Sequence, residues 1–90
     1  MLNDSKIEST EDVYLFVDQL KAECQRHNAT GLLDELDDTL HLGSSGLEAL
    51  GAVRQIIINN SELIEQLMGA NGSRDSGRVV DFVDRMYGRG

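Results

Sequence analysis

The sequence predicts an all-α protein, a compact bundle of four to five short helices in a single domain. Three observations carry that expectation. Apolar side chains recur at three- and four-residue intervals along the chain, the spacing of a helix face turned toward a core. Proline is absent, so punctuation falls to Gly, Ser, Thr, Asn and Asp, the residues that break or cap helices. The segment Ile56-Ile57-Ile58 has the β-branched character of a strand, but no second run of that kind exists to pair with it.

The elements follow in order. Residues 1–8 read as a flexible polar leader. Ser9-Thr10-Glu11-Asp12 then supplies a hydroxyl N-cap and two acids suited to the positive end of a helix dipole. Val13, Phe16, Val17, Leu20 and Cys24 fall on one face of a first helix over residues 10–27. Asn28-Ala29-Thr30-Gly31 breaks the pattern, and Leu33, Leu36 and Leu40 give the stripe of a second helix that should end at Gly43, a common C′ residue. Ser45 and Glu48 form a capping box for a third helix with Leu47, Leu50, Val53, Ile56 and Ile57 inward. Gly51, inside that helix, costs about 1 kcal/mol relative to alanine; close approach of a neighbouring helix is the first account of it, and a site requiring bare backbone the second.

Asn59-Asn60-Ser61 interrupts the pattern again, and residues 62–68 make a short fourth helix buried through Leu63, Ile64, Leu67 and Met68. Residues 69–77, rich in Gly, Ser and Asn, read as a mobile linker. Val79, Val80, Phe82, Val83, Met86 and Tyr87 place the apolar face of a last helix over residues 76–87, with 88–90 as a frayed end. Short connections between such helices suit an antiparallel bundle.

Composition narrows the functions. Ninety residues with 40% apolar and 27% charged content describe one folded domain with one core. The single cysteine, Cys24, cannot form an internal disulfide, which points to a reducing, cytoplasmic location. The first residues lack a basic, apolar signal segment, and the longest aliphatic run is three residues, so neither a signal peptide nor a membrane span is expected. Net charge is −8 and the isoelectric point about 4.5, which sets the chain against direct contact with nucleic acid or an anionic membrane.

The charge is uneven. Residues 1–42 hold ten acids against three bases, and residues 43–90 hold six acids against five arginines. The peak is Asp34, Glu35, Asp37 and Asp38, a carboxylate ridge on the polar side of the second helix. Repulsion between Asp34 and Asp38, one turn apart, costs a few tenths of a kcal/mol. A solvated face is the plain reading of the ridge; recognition of a basic partner is the functional one, because such fields accelerate encounter and select partners. Asp37 and His41 are one turn apart and could share an ion, but a metal centre needs three or four ligands and His27 would have to come from another helix, so no metal is expected. Cys24 and His27 lack the third partner and oxyanion site of a nucleophile. Gly43-Ser44-Ser45-Gly46 matches a G-x-x-G clamp only superficially, since the strands and bases of that module are missing. A helix-turn-helix reading fails because Arg54 is the sole cation of its recognition helix. Some of Arg74, Arg78, Arg85 and Arg89 are expected to pair with Asp81, Asp84 or acids of the first half; the alternative is a basic site for an anion or an acidic partner.

These residues lead to a non-enzymatic protein-binding module without a cofactor, whose acidic first half engages a basic protein through Asp34, Glu35, Asp37, Asp38 and His41. An inhibitor, antitoxin or immunity-type protein would be a concrete instance. In length and acidity the chain is similar to bacterial immunity proteins that bind nuclease toxins, although the tyrosine-pair recognition segment of the colicin nuclease inhibitors is not present. The alternative is a self-associating structural or assembly subunit with no ligand site, a homo-oligomer favoured if Ile56, Ile58 or Val80 lies exposed.

Overall fold

The first helix opens as its cap residues require. In the computed structural model, which describes residues 7–41 and 46–88 and, of 40, 41, 46 and 47, the backbone only, α1 spans Thr10–Arg26. Ser9 is its N-cap, with the Asp12 amide donating to Ser9 Oγ at 3.3 Å. The Asp12 carboxylate reaches back to accept from the Glu8 amide at 3.0 Å. At the other end Asn28 adopts φ 58°, the left-handed conformation that asparagine tolerates. The Ala29 amide donates to the Cys24 carbonyl and the Asn28 amide to that of Gln25, which is the Schellman arrangement. A short turn thus reverses the chain into α2, Thr30–His41.

Among the described residues two further helices follow, α3 at Gly46–Asn59 and α4 at Ser61–Met86. Among the described residues there is no strand, so Ile56-Ile57-Ile58 is helical. Asn60 makes the corner: its side-chain amide donates to the Ile56 carbonyl at 2.8 Å, closing α3. α1 packs on α2 and α4, and α3 packs on the same two helices. The four elements therefore surround one core, with a radius of gyration of 12.3 Å, close to the ~12 Å expected for a compact chain of this length.

Val13, Phe16, Val17, Leu20 and Cys24 all face that core, as the periodicity of α1 predicts. They meet Leu32 and Leu36 of α2, Leu50, Val53, Ile56 and Ile57 of α3, and Ile64, Val79 and Val83 of α4. Complete burial of a side chain such as Leu20 contributes about 1.5–3 kcal/mol relative to leaving it in water. No buried side-chain nitrogen or oxygen among the described residues lacks a hydrogen bond. Buried Ser76 follows that rule, its hydroxyl donating to the Ser73 carbonyl at 2.7 Å.

The structure corrects several sequence expectations. Ile7, assigned to the leader, is buried against the core, because its aliphatic side chain precedes a capped helix start that aims it inward. Residues 69–77, expected as a linker, belong to α4. The chain breaks only at Gly69 (φ 79°, ψ −170°) and resumes as helix directly. Packing outweighs propensity here: Gly72, Ser76, Val79 and Val83 of this arm are buried, and Gly72 leaves room for the Met68 side chain of the first arm. Leu32, not Leu33, is the buried leucine at the start of α2. At the far end Met86 and Tyr87 are 46% and 40% exposed, since α4 has run past the core by that point. Gly43, Ser44 and Ser45 of the G-x-x-G segment, together with Arg89, lie outside the described residues, as do the side chains of Leu40 and Leu47.

Candidate functional site

The carboxylates of α2 share one helix but not one direction. Leu32 and Leu36 anchor the helix to the core, and at about 100° per residue the four acids then spread across the remaining arc. Asp37 falls on the flank facing α1, where Lys21 Nζ meets its Oδ1 at 2.7 Å. Glu35 falls on the opposite flank, where Asn60 Nδ2 donates to its Oε1 at a long 3.5 Å. Only Asp34 and Asp38 lie opposite the core, exposed and one turn apart. Neither makes an ion pair with another described residue. The expected ridge is therefore a two-residue crest between two flanking acids that contact the rest of the fold.

This division follows from the positions of the neighbouring helices. Asp37 and Lys21 are sixteen positions apart, and their meeting depends on the antiparallel return of the chain through the Asn28 turn. The pair is partly solvated, with side-chain exposures of 25% and 40%, so it contributes at most about 1 kcal/mol. The side chain of His41 lies outside the described ones. Among the described residues no three His, Cys, Asp or Glu side chains converge on a point that could hold a metal ion.

The other singled-out residues are placed apart from this crest. Cys24 is buried, and burial first, then the negative charge of Glu23, raises its thiol pKa. His27 is exposed and lies 3.7 Å from Glu23 Oε1. The reactive side chains near the C-terminal end of α1 therefore sit in different surroundings, Cys24 in the core and the C-cap His27 in solvent.

Among the late arginines, Arg78 meets Asp75 at 3.6 Å, a neighbour within its own helix. Asp84 is taken by Arg54 of α3, Nε to Oδ1 at 2.6 Å. The expected partner of Asp84 was a late arginine; the helix packing brings Arg54 closer. Arg74 is exposed and makes no ion pair among the described residues.

Concave surfaces among the described residues lie elsewhere. A shallow depression of about 450 Å³ is lined by Ile7, Glu8, Phe82, Arg85 and Met86. An open groove of about 570 Å³ runs between the end of α3 and the second arm of α4, over Ile57, Ile58 and Val80, with Arg74 and Arg78 at its border. The stripe rule had no place for Leu15, which is 58% exposed in the middle of α1. The signal was present in the sequence: an aliphatic residue between Glu11 and Asp18 on the polar face. No helix of the described residues is long and apolar enough to cross a membrane. No protein-family model matches the chain, and no curated protein or solved structure is significantly similar to it.

Proposed function

We propose that the protein is a non-catalytic binding module, working without a cofactor, whose α2 crest engages a basic protein surface. The observation that carries this reading is the exposure of Asp34 and Asp38 one turn apart on the solvent side of α2, while Asp37 is held by Lys21. Two adjacent carboxylates repel slightly in the free protein. Arginine or lysine side chains brought by a partner would reverse the sign of that interaction. An inhibitor, antitoxin or immunity-type protein that covers the basic site of a nucleic-acid-binding enzyme is the concrete form of the proposal. A reducing compartment such as the cytoplasm suits the free thiol of Cys24.

The test is capture of partners from the source cells at low salt, followed by measurement of association rates with the purified partner. Asp34→Asn combined with Asp38→Asn should slow association about tenfold or more and flatten its dependence on ionic strength. Asp37→Asn, which removes one charge at the Lys21 contact, should have a smaller effect. Unchanged association by the double variant would overturn the reading.

A further inference from the structure

Four large apolar side chains stand out from the surface among the described residues: Leu15, Ile58, Met86 and Tyr87. Tyr87 lies against Gly51, and Met86 lines the depression beside Ile7 and Phe82. Leu15 and Ile58, 58% and 43% exposed, lie on separate helices. We infer that these two residues are the halves of one interface: Leu15 of one molecule seats beside Ile58 in the α3–α4 groove of a second copy of this chain.

The two surfaces pair an apolar point with an apolar depression, and two carboxylates with an arginine at the edge of a groove of otherwise mixed charge. Leu15 is a convex apolar point, with Glu11 one turn before it and Asp18 one turn after it, all exposed on the same face of α1. The groove is concave and apolar along Ile57, Ile58 and Val80, widened at Gly77, and bordered by Arg74 and Arg78. Asp81 also lines it, and Asp75 takes up part of the Arg78 charge, so Arg74 supplies the main cationic edge. Glu11 and Asp18 are seven residues apart, about 10 Å along the helix axis, so a flexible Arg74 side chain at the groove edge can meet the carboxylate on its own side of Leu15. The occupant is a second copy because the chain itself presents, at Leu15, an apolar point between carboxylates of the kind this groove would accept. None of the α2 crest residues takes part, so the inference does not rest on the function proposed above.

Leu15 and Ile58 lie on different helices, α1 and α3, so the contact joins two unlike patches. Such a contact is made twice in a two-fold dimer, each molecule placing its leucine in the other's groove, or once per neighbour in a head-to-tail assembly. Either arrangement has a signature that contact between two like patches lacks. A molecule with a spoiled knob still has a working groove, and the reverse.

The experiment is sedimentation velocity from about 10 μM to about 1 mM at physiological ionic strength, where long-range repulsion between the acidic molecules is screened. The unaltered protein should sediment faster as concentration rises. Leu15→Asp and Ile58→Asp should each remain monomeric throughout, and their exposed positions should leave helical circular dichroism unchanged. Mixed in equal amounts, the two should form a one-to-one dimer that grows no further. A charge exchange gives the second readout: Asp18→Arg and Arg74→Glu should each weaken association about tenfold, and mixing Asp18→Arg in the Ile58→Asp background with Arg74→Glu in the Leu15→Asp background should restore it. A monomeric unaltered protein, continued association of either aspartate variant, or a monomeric mixture overturns the inference.

Discussion

Cys24 occupies a fully buried position on the core face of α1, and its chemistry follows from that place. Burial, with the Glu23 charge second, raises the thiol pKa from its ordinary value of 9.0. A neutral, enclosed thiol is a poor nucleophile, so iodoacetamide should modify Cys24 only at the rate at which the protein opens, and rapidly in denaturant. The same shift makes stability depend on pH. Below the ordinary thiol value both states are protonated and the contribution is full. As pH rises above it, the unfolded chain releases its proton while the folded chain retains it, so stability falls. Thermal midpoints should therefore decline more steeply between about pH 8 and about pH 10 in the parent than in Cys24→Ala. Arg54 and Asp84 make the complementary case of a polar contact. Their 2.6 Å bond joins α3 to α4 with both side chains about three-quarters buried, so a double-mutant cycle with Arg54→Ala and Asp84→Ala should return a coupling of about 1–2 kcal/mol. The more solvated Lys21–Asp37 pair should return less.

At the scale of elements, α4 departs furthest from expectation, and three glycines show what local sequence can and cannot convey. Gly69 lies at φ 79°, ψ −170°, a region that only glycine visits without strain. A break at residue 69 was legible from composition. Its depth was not: the chain kinks at one residue and regains the helix, because the second arm buries Gly72, Ser76, Val79 and Val83. Gly72 lies against Met68, close enough that a Cβ would collide with the Met68 Cβ, an atom no rotamer change can move away. Gly51 faces the Tyr87 ring, and a Cβ there would meet the phenol oxygen, the far end of a flexible and exposed side chain. The expected neighbour of Gly51 was a helix; the actual one is a single ring at the end of α4. Chemical denaturation should therefore separate the three alanine variants. Gly69→Ala and Gly72→Ala should each lose about 1–3 kcal/mol, whereas Gly51→Ala, with about 1 kcal/mol of helix propensity in its favour, should stay within about 1 kcal/mol of the parent.

For the whole molecule, a net charge of −8 on 90 residues is a standing repulsion that folding concentrates. Adding sodium chloride from about 10 mM to about 300 mM should raise the thermal midpoint, since screening weakens that repulsion more than it weakens the short, partly buried Arg54–Asp84 pair. The core faces of the helices were legible in the sequence because periodicity is local: Val13, Phe16, Val17, Leu20 and Cys24 turn inward together whatever packs against them. The α1 start was legible for the same reason, its N-cap bonds spanning three or four residues. The candidate site was legible only as a cluster of acids. Its division into the Asp34–Asp38 crest and the flanking Asp37 and Glu35 required knowing where Lys21 and Asn60 stand. The groove at Ile58 and the choice of Arg54 over the late arginines as partner of Asp84 share that dependence. A helix's own sequence sets which residues can face a core, but the neighbouring helices set how wide the covered face is, and so which side chains at its edges are paired, buried or left to meet another molecule.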